Sequence, residues 1–391
     1  MNHYGSKNTP FLFVISYDQS KNLVLRAEDE NSPINGTANS TANGAATGTA
    51  TGNIKADLNS HKNNTATGNQ AGNQTGNQYG EIDHNIIRYK INQRSNTKNS
   101  LTNVGTLAAE TKKQSIKIEL ADDIKSKEAL YLKGFNLAIS EIKEGNSFLL
   151  NLSTQMKVNL SHSLLDIFEN TDSPYKLYIK DHFVLFSPET FVTIKDNKIF
   201  SYPIKGTLIT DDISSPLLLE NQKESEEHNT IVDLIRNDLS IIGTKTSVIE
   251  FKKTFPIAHQ NREGKSSTML QMYSKICSML PDNYNFELGD IIFKLLPAGS
   301  ITGAPKKKTI EIINQAEKLI DPTYSRNFYT GIFGYYDGST LESSVMIRFI
   351  EQNAETGQYY YKSGGGITSN SDRRDEFSEI LNKIYLPIKE D

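Results

Sequence analysis

Between residues 31 and 80, asparagine, glycine, threonine and alanine fill 35 of 50 positions, and Gly-Asn-Gln recurs from Gly68, Gly72 and Gly76. A stretch so poor in large apolar groups buries too little surface to offset the entropy of ordering it. The chain therefore cannot form one continuous core. We expect a short N-terminal hairpin over 1–30 that joins the main sheet, a flexible insertion over 31–114 and a catalytic domain over 115–391.

Flanking this stretch, the pattern is mixed. Short apolar runs at 11–17 and 23–25, separated by turn-prone residues, predict a hairpin that needs a partner sheet. Beyond residue 115, apolar periodicity predicts helices over 126–144, 223–240, 268–279, 305–320 and 373–385. Strands are expected near 147–158, 175–186, 190–204, 327–336, 341–351 and 358–363. Because strands come in adjacent groups and do not alternate with helices, the fold class expected is α+β with antiparallel sheets.

Lys+Arg number 42 against Asp+Glu 46, so no basic excess argues for nucleic acid. The apolar run from Phe11 to Tyr17 falls far short of the ~18 residues of a membrane span, and nothing argues for export. The lone Cys277 cannot form an internal disulfide or a thiolate zinc finger. A cytoplasmic protein with no membrane or nucleic-acid partner is expected.

Four features carry potential chemistry. In the closing helix, Glu376, Glu379 and Lys383 border the apolar face made by Phe377, Ile380, Leu381 and Ile384; a plain surface pair of Glu379 with Lys383 is the alternative. Near 223–240, Glu224, Glu227 and His228 share a face with Ile231 and Ile235. Carboxylates aimed where isoleucines point need a cation, donors or a proton. Two such pairs suggest oxygen ligands for a hard divalent ion, Mg²⁺ with waters and an anionic substrate completing its shell. Third, the glycine-bearing segment Pro297 to Pro305 runs into a helix and suits an anion, unless Ser300 or Thr302 is simply a cap. Gly364, Gly365 and Gly366 read as a turn with accessible N–H groups. Fourth, Lys205 stands beside Gly206; most lysines are merely solvated, but a desolvated one acts as an amine nucleophile.

These segments together resemble the chorismate-utilising enzymes. The motifs are Ser187-Pro-Glu189, Pro203-Ile-Lys-Gly-Thr207, Glu227-His228 leading into Ile231 to Asp238, Gly299 to Lys306, Tyr329-Thr-Gly331, Ile347-Arg348, Gly364 to Ile367 and Glu376-Phe-Ser-Glu379. The resemblance implies a sandwich of antiparallel sheets with helices packed outside and the active site between its two halves. It implies that Glu227 and Glu379 hold Mg²⁺, with Glu224 and Glu376 beside them holding its waters. It assigns chorismate binding to Gly206, Thr207, Ser300, Tyr329, Arg348, Gly364, Gly365, Gly366 and Lys383. Gln271 stands where family members often carry a histidine, and is expected to meet the substrate through its amide. Glu189 matches the general acid that protonates the departing C4 hydroxyl.

Within the family, isochorismate and salicylate synthases resemble each other in a water-activating lysine where this chain has Leu149. Anthranilate synthase large subunits typically have alanine in place of Lys205. The run Pro-Ile-Lys-Gly-Thr resembles aminodeoxychorismate synthase component I, whose lysine is thought to attack C2 before ammonia attacks C4. That branch implies ammonia delivered by a separate glutamine amidotransferase subunit, since Cys277 lies in no glutaminase elbow. Anthranilate synthase component I and a non-catalytic chorismate-binding regulatory protein are the alternatives.

Overall fold

The computed structural model describes residues 1–27, 87–96, 116–210, 216–260 and 266–389. Their strands form two antiparallel sheets of nine strands each. The first runs β11 (Ile204–Ile209), β13 (Ser266–Met279), β10 (Lys198–Ser201), β9 (Thr190–Lys195), β16 (Leu341–Val345), β15 (Ile332–Tyr336), β1 (Phe11–Ile15) and β2 (Asn22–Arg26), with β12 (Thr244–Gln260) also on β13. The second runs β14 (Gly303–Ala304), β6 (Leu149–Leu160), β18 (Tyr359–Ile367), β17 (Phe349–Gln352), β8 (Phe183–Ser187), β7 (Tyr175–Ile179), β3 (Ile87–Ile91) and β4 (Arg94–Ser95), with β5 (Ile118–Leu120) on β6.

One apolar cluster binds the sheets face to face: Leu12 and Val14 of β1 and Phe333 and Tyr335 of β15 meet Ile87, Leu177, Leu185 and Phe349. Helices cover the outer faces. Against the second sheet lie α2 (Ile124–Lys143), α7 (Lys306–Ile320) and α8 (Arg373–Asn382), sharing a core of Tyr131, Phe135, Leu150, Ile313 and Phe377. The first sheet carries α5 (Gln222–Ile242) and α6 (Leu288–Leu295), whose Ile231, Ile235, Ile291 and Ile292 pack on Ile194 and Ile199. Shorter helices are α1 (Asn2–Gly5), α3 (Leu164–Asn170) and α4 (Leu217–Glu220). The arrangement is the expected α+β sandwich of antiparallel sheets. No helix among the described residues is long and apolar enough to cross a membrane.

Three expectations change. The helix predicted over 268–279 is strand β13, whose Leu270, Met272, Ser274, Ile276 and Ser278 are buried in strict alternation. Two of those inward positions are serines, which hid the period of two behind a helical reading. Part of the segment assigned to the insertion, 31–114, is structural: 87–96 forms β3 and β4, with Ile87, Tyr89 and Ile91 buried against the core. The rest of that segment lies outside the described residues. The three glycines at 364–366 form no turn; they sit inside β18, paired with Ser153, Leu152 and Asn151 of β6.

A buried ion pair ties these layers together. Arg326 and Glu317 meet at 2.6 Å with side chains 1% and 6% exposed. Arg326 also donates to the carbonyls of Ile301 (2.9 Å) and Asn151 (2.7 Å), and Glu317 accepts from the N–H (3.0 Å) and Oγ (2.6 Å) of Ser153. Removing one partner strands a charge away from water, which costs about 3–5 kcal/mol, whereas an apolar replacement of both is nearly neutral. We expect Arg326→Met to lower the unfolding free energy by about that amount in urea titrations. The Arg326→Met/Glu317→Met double variant should recover much of the loss.

Candidate active site

The chain passes from one sheet to the other in short crossings, and these crossings carry polar side chains. Between β8 and β9 the crossing is Pro188 and Glu189; between β16 and β17 it is Met346, Ile347 and Arg348. Each crossing is fastened to the strand that leads into the other, since Glu189 O accepts from Val345 N (3.2 Å) and Arg348 O from Phe186 N (3.3 Å). Arg348 takes φ 53°, a left-handed conformation in which a non-glycine residue is strained. That kink ends one strand and starts the next.

A cleft with about 80 Å³ open to the centres of water-sized molecules lies between the sheets here. Of the residues predicted for the site, it gathers Glu189, Lys205, Ser300, Tyr329, Arg348, Gly364, Gly366 and Lys383. Ser300 Oγ donates to Glu189 Oε1 at 2.5 Å. Lys383 Nζ reaches Glu379 at 2.6 Å and the carbonyl of Gly364 at 2.7 Å, while desolvation lowers its pKa. Arg348 Nε is buried and has no hydrogen-bond partner among the described residues. Its guanidinium lies 5.5 Å from the ring centre of Tyr385. Burial pushes the Tyr329 phenol well above its usual pKa, so it stays protonated.

Lys205 is aimed by a bulge. The register of β11 on β13 shifts between Ile204 and Thr207, and Gly206 adopts φ 83°, a backbone that a Cβ would disfavour. A methyl on Gly366 would lie 3.4 Å from Lys205 Nζ, so the bare strand opposite leaves room for the amine. Gly206 itself packs on Leu218 and Met272, Thr207 lies opposite Gln271 in the sheet, and neither Gly206 nor Gln271 lines the cleft.

Glu376 and Glu379 converge over the middle glycine: a methyl on Gly365 would be 3.3 Å from Glu376 Oε2 and 3.7 Å from Glu379 Oε1. Glu376 is 2% exposed and accepts from Ser371 Oγ at 2.6 Å. On α5, Glu224 Cβ is 3.4 Å from where a methyl on Gly206 would stand, and Glu227 lies one turn further along. Among the described residues no three carboxylate, imidazole or thiolate side chains gather closely enough to chelate an ion by themselves. The hard oxygen donors present nevertheless suit Mg²⁺, which commonly takes one or two carboxylates and fills its shell with waters and substrate oxygens.

Sequence reasoning missed Asn151, Ile301, Tyr361, Lys362 and Ser363, which also line the cleft. Lys362 and Ser363 precede the glycine run directly, a signal that reading the glycines as a turn obscured. Lys362 is buried, paired with Glu351 at 2.5 Å. Cys277 lies on β13 at a distance from this chemistry, and desolvation raises its thiol pKa, which makes it a poor nucleophile.

Residues 2–389 match the family described as chorismate binding enzyme. An uncharacterized PabA-like protein of Haemophilus influenzae is 50% identical over 260 residues, 66% of this chain and 76% of that protein. Aminodeoxychorismate synthase component 1 of Bacillus subtilis is 32% identical over 272 residues, which cover 64% of this chain and 54% of that protein. Among solved structures, anthranilate synthase component I from Streptococcus pneumoniae is similar in fold, with a TM-score of 0.55 at 24% identity over 69% of this chain and 59% of that one.

Beside the carboxylates of α5, His228 is fully buried, with Nε2 2.7 Å from Ser274 Oγ. Desolvation, then repulsion from Lys252 and Lys205, lowers its pKa from 6.5 to about 4. The unfolded chain takes up that proton near 6.5 and the folded chain only near 4, so stability falls as pH drops through this window. We expect urea midpoints to decline between these values and that part of the decline to vanish in His228→Gln. An equal decline in the variant would assign the dependence to other groups.

Proposed function

The chain belongs to the chorismate binding enzymes, and on that premise we propose that it is the synthase component of an aminodeoxychorismate synthase. Chorismate and ammonia become 4-amino-4-deoxychorismate, the precursor of 4-aminobenzoate and folate, and the ammonia comes from a separate glutamine amidotransferase subunit. The observation that carries this reading is Lys205, aimed by the Gly206 bulge at the bare backbone of Gly366 inside the cleft. A relative named for the same activity supports it.

The charge of the cleft fits the substrate. Lys205 and Arg348 line it with Glu189, while Lys362 and Lys383 on its wall are met by Glu351 and Glu379, a balance that leaves it cationic and favours an anionic ligand over a neutral one. The partnerless Arg348 Nε is a donor in want of a carboxylate oxygen. Glu376 and Glu379 of α8 and Glu224 and Glu227 of α5 are the residues that would hold Mg²⁺ and its waters. A bound ion there supplies neutralisation of a substrate carboxylate. Tyr329, kept protonated, offers a hydroxyl donor, and Gly364 and Gly366 let the ring approach the strand.

In the reaction, the Lys205 amine forms a bond to C2, both ring double bonds shift one place towards C4, and the C4–O bond breaks. Hydroxide is a poor leaving group, so Glu189 gives it a proton and water departs. Ammonia then bonds to C4, both double bonds shift back, and the lysine leaves C2. An amine attacks through its nitrogen lone pair, whereas a guanidinium stays protonated and has none to offer.

Two measurements test this. Incubation with chorismate, Mg²⁺ and ammonium should give a product that aminodeoxychorismate lyase converts to 4-aminobenzoate; anthranilate in its place would overturn the reading. Lys205→Ala and Lys205→Arg should both lose most of this activity, by about two orders of magnitude or more if the amine is a nucleophile. A well-active arginine variant making the same product would reduce Lys205 to a carboxylate partner. For the metal, Glu379→Gln should weaken Mg²⁺ binding measured calorimetrically in the presence of chorismate, with the fold intact by circular dichroism.

A further inference from the structure

A second, small cleft, with about 20 Å³ open to the centre of a water-sized molecule, lies on the far side of Glu189 and Ser300, and these two residues line both clefts. Its other walls come from β9, the turn between β10 and β11, α5 and the segment after α6. The electrostatics of the two are opposite. Lys205, Arg348, Lys362 and Lys383 line the substrate cleft, Lys362 being paired with Glu351 and Lys383 with Glu379, whereas no lysine or arginine lines the second, whose carboxylates are Glu189 and Asp238. Lys306 reaches Asp238 from outside at 2.9 Å and so neutralises one of them. A space of this charge excludes a second dianion and admits a small neutral or cationic molecule.

We infer that the second cleft is the entry route for ammonia, and that the Glu189–Ser300 contact is the partition through which it reaches the substrate. This rests on the reading under Proposed function. The proposed reaction has two reactants of opposite demand, and among the described residues these two clefts of opposite charge meet at one carboxylate. Once Glu189 has given its proton to the departing hydroxyl, it is a carboxylate facing both clefts. Ammonia entering from the second forms the C4–N bond, and the proton in excess on that nitrogen passes to Glu189, which restores the acid. One ammonia is consumed and one water is released, with no other proton donor or acceptor required. Ser300 Oγ, 2.5 Å from Glu189 Oε1, stabilises the carboxylate in the interval between these transfers.

The test narrows the second cleft without touching the first. Ala298 and Tyr202 line the second cleft and not the substrate cleft. Ala298→Leu fills space there, and Tyr202→Lys places a cation in the path of ammonium at a half-exposed position. Aminated product is measured at saturating chorismate over a range of ammonium, with chorismate binding measured separately by calorimetry. Each variant should raise the apparent KM for ammonium about tenfold while leaving the Kd for chorismate within about twofold, the pattern of a lost second-substrate route. The Tyr202→Lys effect should shrink at high salt. Should Ala298→Leu fail to fold, Tyr202→Lys decides alone. Ammonium KM values within about twofold of wild type, or losses shared equally by chorismate affinity, overturn the route. A wild-type enzyme that consumes chorismate without incorporating nitrogen overturns the proposed function, and the route with it.

Discussion

The Arg326–Glu317 pair is the contact on which the position of the site depends. Glu317 is on α7, and its oxygens take the N–H and Oγ of Ser153 on β6; Arg326 holds the carbonyls of Asn151 on β6 and Ile301 in the loop before β14. Asn151 and Ile301 both face the substrate cleft, and Tyr329 follows Arg326 by three residues. Charge-assisted bonds in a dry interior are strong and directional. One guanidinium therefore fixes a helix, a strand and the loop bearing Ser300 relative to each other. A hydrophobic contact in its place would hold the layers together without fixing their register, because apolar packing is not directional.

The cleft is built at the points where the chain leaves one sheet for the other. Glu189 and Arg348 sit in crossings of a few residues, and each crossing bonds, through the main chain, the strand that leads into the other. This explains how chemically active groups from distant parts of the sequence keep fixed separations: their backbones are strand ends in two packed sheets, not free loops. It also explains why the glycines on β18 matter. With side chains there, the strand facing Lys205, Glu376 and Glu379 would fill the space that the crossings open.

Much of this was legible in the sequence, and the failures have identifiable causes. The grouping of strands gave the α+β class, and carboxylates on the apolar edges of helices led to Glu376 and Glu379, which the structure does bring together over Gly365. Glu317 was not legible, because it lies on a helix whose apolar series seemed complete without it; only the fold reveals that Arg326 answers it. The long hairpin of β12 and β13 was missed because Ser274 and Ser278 occupy buried positions, where small hydroxyls satisfy each other's neighbours, as Ser278 does with Thr246 at 2.8 Å. The partial strand at 87–91 was lost in a compositional argument applied too broadly, since its alternating Ile87, Tyr89 and Ile91 carried the strand period plainly. Gly364 to Gly366 misled because glycine marks turns and also marks strands that something must approach closely.

The first strand has a long wait built into it. All five residues of β1 are buried, and apart from β2 its hydrogen-bonded partner is β15, which begins at Ile332. About 320 residues separate the two in the order of synthesis, so at ~5–20 residues per second the ribosome needs some tens of seconds to supply the partner. During that interval Phe11 to Ile15 belong to a two-stranded ribbon, which is marginal in water and has an open edge. The topology thus makes an apolar segment synthesised long before its partner one of the last to be enclosed, and leaves its protection to whatever meets the chain at the ribosome.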